Sequence, residues 1–260
     1  MMLRVQNGGN AFLKEINLEL RAGEIVGVSG LQGSGRTELA QALFGVEPFQ
    51  SGTLEIKGEV VAIKSPSQAI KHKMGFVTED RKAEGLLPNQ PLRDNILITV
   101  RSLQSLVKRI KRNGVTGDSR LVPELVKQVD VRASSNDQEV QYLSGGNQQK
   151  VVLAKWLASK ADIFIFDEPT RGIDVEAKAS IHDMIRDLAR QGTAVLMISS
   201  ELPEIIGMSD RIIVMWDGMI AGELPAKSRE SHIMTLATGH QNRNDSQQPG
   251  TTQTETEEKK

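Results

Sequence analysis

The stretch that most limits how this chain can fold is Leu143-Ser144-Gly145-Gly146-Asn147-Gln148-Gln149-Lys150. One helix-length later it is followed by Ile163-Phe164-Ile165-Phe166-Asp167-Glu168-Pro169-Thr170. The first run is a small-residue turn opening a helix. Ser144 supplies a hydroxyl, the paired glycines allow close backbone approach, and Val152, Leu153, Trp156 and Leu157 give the helix a side to bury. A helix start of that kind turns free N–H groups and a positive dipole end toward an anion. The second run is too short for a helix and ends in two adjacent carboxylates. It reads as a buried parallel strand delivering acid groups at its C-terminal edge, where open α/β sheets bind ligands.

The N-terminal third carries a matching signal. Ile16, Leu18 and Leu20 alternate with polar residues as a half-buried strand, and after the Ala22-Gly23 turn Glu24–Ser29 returns as a second one. Next comes Gly30-Leu31-Gln32-Gly33-Ser34-Gly35-Arg36-Thr37, leading into a helix with Leu39, Ala42 and Leu43 inward. A strand, Gly-x-x-x-x-Gly, a basic residue and a hydroxyl residue, then a helix, is the phosphate-binding loop pattern. The backbone N–H groups converge on phosphate and Thr37 can reach Mg²⁺. Arg36 stands where lysine is expected. A planar, forked guanidinium still neutralises phosphate but does not fit the narrow nest that a lysine ammonium fills. We therefore expect nucleotide binding and doubtful hydrolysis at this loop.

Further along, Thr53–Ile56 and Val60–Ile63 read as an antiparallel hairpin around Gly58, and Met74–Thr78 as a short apolar strand. From Arg81 to Gln141 the chain is more charged and reads as mostly helical, with Gly114 and Gly117 in a polar break and Leu121, Leu125, Val126 and Val129 on one helical face. The basic run Lys108–Arg112 reads as a solvated helix face, or as a contact with membrane headgroups. Thr193–Ile198 is a strand, and Ile181, Met184, Ile185 and Leu188 mark the helix before it. Arg211–Trp216 and Met219–Gly222 form a hairpin whose Asp217-Gly218 turn predicts type I′. Residues 241–260 hold no large apolar residue and read as a disordered polar tail.

Composition removes several classes of function. The chain has 260 residues, enough for one large domain, and no cysteine, so thiolate metal sites and disulfides are excluded. A net charge of −1 and 3% aromatic residues argue against a nucleic-acid platform, so no nucleic-acid partner is expected. No apolar run approaches the roughly 18 residues of a membrane span, so any membrane role is peripheral.

Together, Leu-Ser-Gly-Gly and the strand ending in Asp-Glu resemble the ATP-binding cassette (ABC) family. The runs Gly30–Leu39, Glu79–Lys82, Leu143–Lys150 and Asp167–Val175 narrow the resemblance to the second cassette of tandem ATPases in bacterial monosaccharide importers, over about residues 12–240. In that family both cassettes usually share a chain about twice this length, so this one looks like the C-terminal half.

The resemblance implies an α/β fold: a P-loop NTPase core with a mixed parallel sheet, an antiparallel β subdomain and an inserted helical subdomain. It implies one nucleotide-binding domain over residues 1–240, with core 1–80 and 159–240 and helical subdomain 81–158. The cofactors are ATP and Mg²⁺. Residues 30–37 would hold the phosphates, Thr37 and Asp167 the Mg²⁺, and Glu168 would orient or deprotonate the attacking water. Glu79 takes the place of a glutamine that touches Mg²⁺, although a plain solvated turn remains open there. Ser200 takes the place of a γ-phosphate-contacting histidine. The four histidines, His72, His182, His232 and His240, read as surface residues.

Leu143, Ser144, Gly145, Gly146, Asn147 and Gln148 would meet nucleotide in a facing cassette, and the Gly172-Ile173-Asp174 loop would pass nucleotide state between the two. Phe12 is the only aromatic residue before the phosphate loop; it is either the family's adenine-stacking residue or part of the core. The implied partners are a second ABC cassette with an intact phosphate loop, membrane permease subunits contacting the region of Arg93–Val100, and an extracytoplasmic sugar-binding protein. The implied location is peripheral, on the cytoplasmic face of the cell membrane. Two other classes stand beside this reading: a soluble ABC-type ATPase, and a regulatory module that binds nucleotide without turnover.

Overall fold

The computed structural model describes residues 1–107 and 118–239. The basic run Lys108–Arg112, the polar break with Gly114 and Gly117, His240 and the polar tail lie outside them. In chain order the elements are β1 (Leu3–Gly9), β2 (Ile16–Leu20), β3 (Ile25–Gly30), α1 (Arg36–Phe44), β4 (Ser51–Ile56), β5 (Glu59–Val61), α2 (Pro66–Lys71) and β6 (Met74–Val77). A π-helical turn at Arg81–Gly85 leads to α3 (Leu92–Val107), α4 (Asp118–Gln128) and α5 (Gly145–Ala158). The chain continues through β7 (Ile163–Asp167), α6 (Val175–Arg190), β8 (Ala194–Ile198), α7 (Leu202–Met208), β9 (Arg211–Trp216), β10 (Met219–Pro225) and α8 (Glu230–Ala237).

Two sheets form. The larger has the order β10-β9-β3-β8-β7-β6, parallel except for the β10 edge, and the smaller is the antiparallel β2-β1-β4-β5. In the larger sheet β7 and β8 are buried at every position, as the apolar run before Asp167 predicts. Phe164 and Phe166 are stacked with ring centroids 5.5 Å apart. At the β9–β10 turn Asp217 and Gly218 both take positive φ, 47° and 76°, which the type I′ expectation requires.

β1 was not expected as a strand, because Arg4, Gln6 and Asn7 break its apolar character. It is nevertheless central in the smaller sheet. Leu3 and Val5 point into the core while Arg4 pairs with Glu19 and Glu55 on the neighbouring strands. The helices α3 and α4 pack on α5, which also packs on β6 and α6. α5 ends at Ala158 and packs both on the outer helices and on the sheet.

The centre of β3 tolerates no side chain at Gly27, because α7 lies directly over it. A Cβ there would stand 2.1 Å from Ser209 Oγ and 3.0 Å from Ile205 Cγ2. Gly27→Ala is expected to destabilise the fold by about 1–3 kcal/mol through overpacking. Urea unfolding checks this, and an unchanged midpoint would show that α7 is free to lift away.

Candidate functional site

Parallel register brings the chemistry to one edge. β3, β6, β7 and β8 all end on the same side of the sheet, with Val28 opposite Ile198, Asp167 opposite Ile198 and Val77 opposite Phe166. The phosphate loop, Glu79, the Asp167-Glu168 pair and Ser200 therefore converge by topology. Residues 30–38, Glu79, Glu168, Arg171 and Ser200 line one cleft. The loop keeps its shape through Gly33 and Gly35 at φ 76° and 107°, a region that L side chains rarely enter. Gly35 caps the start of α1, whose free N–H groups face the cleft.

Arg36 is not idle in this cleft. Its Nη1 donates to the Ser199 carbonyl at 3.0 Å and lies 3.7 Å from Glu168 Oε1. On its other oxygen Glu168 accepts from Ser200 Oγ at 3.1 Å. Burial raises the Glu168 pKa, while the Ser200 bond and the Arg36 charge pull it back. Glu168 also holds φ 49°, an uncommon conformation for a residue with a side chain.

Asp167 sits beneath, 1% exposed, and neither carboxylate oxygen has a hydrogen-bond partner of normal geometry. Burial lifts its pKa from 3.8 to about 6, although the neighbouring Thr37 hydroxyl and Arg36 oppose the shift. An orphaned, buried carboxylate beside a hydroxyl is a hard-oxygen donor pair suited to Mg²⁺, which commonly takes only one or two protein ligands. Among the described residues no group of three or more His, Cys, Asp or Glu side chains gathers as a denser cation site.

The second predicted set lies elsewhere. Ser144, Gly146, Asn147 and Asp174 line a separate cleft with Arg132 and Lys150, so within one chain they do not meet the phosphate loop. Ser144 caps α5, accepting from the Asn147 N–H at 3.4 Å and from Asn147 Nδ2 at 2.9 Å. Three expectations need correction. Leu143 is buried in the core, and Gln148 is turned inward, donating to the carbonyls of Val140 and Leu143, so neither side chain is presented to a ligand. His182 is not a surface residue: its Nε2 pairs with buried Glu204. Of the two readings left open for Phe12, the core is excluded: it is 41% exposed, and its ring lies beside Gly35.

Several contributors were missed from sequence. Glu204 Oε1 accepts from Thr170 Oγ1 at 2.7 Å, tying α7 to the segment just past Glu168. Arg81 donates to the carbonyls of Arg171 and Gly172 at 3.0 and 3.4 Å. Arg171 forms an ion pair with Glu79 across the cleft mouth. Arg171 lies inside the Asp167–Val175 run, so its position was visible; its orientation was not.

A sequence model described as "ABC transporter" matches residues 13–171. The chain belongs to the ABC transporter family. The cassette is 46% identical over 227 residues to the ribose import ATP-binding protein RbsA of Bacillus subtilis strain 168, covering 87% of this chain and 45% of that protein. It is equally 46% identical, over 242 residues, to a putative ribose/galactose/methyl galactoside import ATP-binding protein of Hahella chejuensis, covering 91% of the cassette and 46% of that relative. The cassette thus spans about half the length of the curated relatives it matches. A dimeric bacterial ABC transporter cassette shares its fold with TM-score 0.74 and 22% identity, over 88% of this chain and 100% of that one. An ABC transporter cassette in its ADP conformation superposes with TM-score 0.73 at 19% identity, over 91% and 94%. The cassette has the ABC ATPase fold. Among the described residues no helix is long and apolar enough to cross a membrane.

Proposed function

We propose that this cassette is the ATP-binding half-unit of an importer for ribose or a related monosaccharide. It sits peripherally on the cytoplasmic face of the membrane against permease subunits, with an extracytoplasmic sugar-binding protein delivering the cargo. Sugar import rests on the activities of the relatives named above. The observation that carries the mechanism is the separation, within one chain, of the phosphate-loop cleft from the cleft holding Ser144 and Gly146. Two clefts that cannot meet in one chain are completed by a facing cassette, to which this chain supplies Ser144, Gly145 and Gly146.

In the cleft on this chain, the N–H groups of residues 30–37 bind phosphate, and exposed Phe12 beside Gly35 offers an apolar face to the base. Asp167 and Thr37 would hold Mg²⁺, which supplies charge neutralisation on the phosphate oxygens when bound. Glu168, steadied by Ser200, orients the attacking water and takes its proton. Arg36 opposes that role by engaging the same carboxylate, so turnover here is slow and the facing cassette with an intact phosphate loop carries most of it.

Reconstitution in vesicles with a permease and such a partner cassette tests the reading. Ribose uptake, and ATP turnover well above the slow rate of the isolated chain, are expected only when all components are present, and Ser144→Arg is expected to cut that turnover roughly a hundredfold by removing preorganised anion stabilisation. Brisk turnover by this chain alone, unchanged by Ser144→Arg, would overturn it.

A further inference from the structure

The cleft on this chain is short of positive charge. Among the described residues lining it, Arg36 and Arg171 are the only cations, set against Glu38, Glu79 and Glu168. Arg36 is largely committed: its side chain is only 13% exposed and is held by the Ser199 carbonyl and Glu168. At the end of β8, Ser200 brings a hydroxyl and no charge.

Arg171 is placed differently. Its backbone is fixed, its N–H donating to the Glu168 carbonyl at 3.1 Å and its own carbonyl accepting from Arg81 at 3.0 Å. Its side chain is 65% exposed, and its counter-ion Glu79 is itself 36% exposed. A solvated ion pair of this kind contributes little, about 0–1 kcal/mol, and is readily exchanged. A phosphate offers the guanidinium charge-assisted, two-pronged hydrogen bonds that are roughly twice as strong as neutral ones.

We infer that Arg171 is the terminal-phosphate ligand of this cleft, exchanging Glu79 for the last phosphate of a nucleoside triphosphate and so setting the preference for triphosphate over diphosphate. The inference rests on the reading that the cleft binds nucleotide. Glu79 then acts as the resting counter-ion that the phosphate displaces. Arg171 lines the same cleft as the phosphate loop, and side-chain rotation alone makes the exchange.

The test is equilibrium binding to the full chain of ADP and of the non-hydrolysable β,γ-imido analogue of ATP, for wild type, Arg171→Gln, Arg171→Lys and Glu79→Gln. Arg171→Gln is expected to weaken the triphosphate analogue about tenfold and leave ADP unchanged, the loss of one charge-assisted contact. Arg171→Lys is expected to restore part of the loss, and Glu79→Gln to tighten the analogue a few-fold by removing the competitor. Equal effects on both nucleotides, or no effect on either, overturn the assignment while leaving nucleotide binding intact. Failure of wild type to bind either nucleotide overturns both this inference and the reading beneath it. Arg171 is exposed, so a circular dichroism spectrum matching wild type is expected for its variants and separates ligand loss from unfolding.

Discussion

Arg36→Lys is expected to raise ATP turnover by the isolated chain about tenfold, equivalent to roughly 1.4 kcal/mol of barrier. The guanidinium now spans the Ser199 carbonyl and the Glu168 carboxylate. Lysine is a compact point charge on a flexible stem, so it can settle among the phosphate oxygens and release Glu168 to the attacking water. In that background Glu168→Gln is expected to remove about 10²–10⁴-fold of the rate, the usual contribution of a positioned general base. Steady-state phosphate release measures both. If wild type already turns over as fast as the lysine variant, the guanidinium works as well as an ammonium, and a self-sufficient homodimer replaces the asymmetric pair.

Asp167→Asn is expected to stabilise the nucleotide-free chain while destroying its Mg²⁺-dependent nucleotide binding. Burial raises the Asp167 pKa from 3.8 to about 6, so the folded state holds this proton more tightly than the unfolded state does. Above about pH 6 the ionised, unpartnered carboxylate therefore works against folding. That penalty fades as pH falls below about 6 and is gone below about 3.8, where both states are protonated. At neutral pH it amounts to about 3 kcal/mol, from a shift of roughly two pKa units. Urea titrations of both proteins at neutral and mildly acid pH check the sign: the advantage of asparagine should shrink on acidification. An advantage that grew instead would mean the carboxylate is already paired. A site that holds an orphaned anion ready for a cation trades stability for function.

Much of this architecture is legible in the residues because it rests on local patterns. β7 and β8 follow from unbroken apolar runs, α6 from its 3.6-residue spacing, and the last hairpin from Asp217-Gly218. β1 escaped notice because Arg4, Gln6 and Asn7 interrupt its apolar residues, yet that arginine is paired across the sheet with Glu19 and Glu55, and cross-strand pairing cannot be read from one segment. The site shows the same division. Which segments meet at the sheet edge follows from pattern and fold class. Which side chains face the cleft does not: Gln148 looks like a polar ligand in the sequence and is spent on the Val140 and Leu143 carbonyls. His182 and Glu204 are 22 positions apart, on α6 and α7, and their pairing cannot be read from either segment alone.

The double attachment of α5 makes it a lever. At about 1.5 Å per residue its 14 residues extend roughly 21 Å, from Ser144 at one end to the turn before β7 at the other. It packs on β6 and also carries α3 and α4. A tilt of about 10° around the sheet-side end moves the Ser144 end by close to 4 Å, more than the length of a hydrogen bond. Small rotations of the outer helices are thus magnified at the Ser144 end, so that under the proposed function a push on those helices would be converted there into contact made or broken.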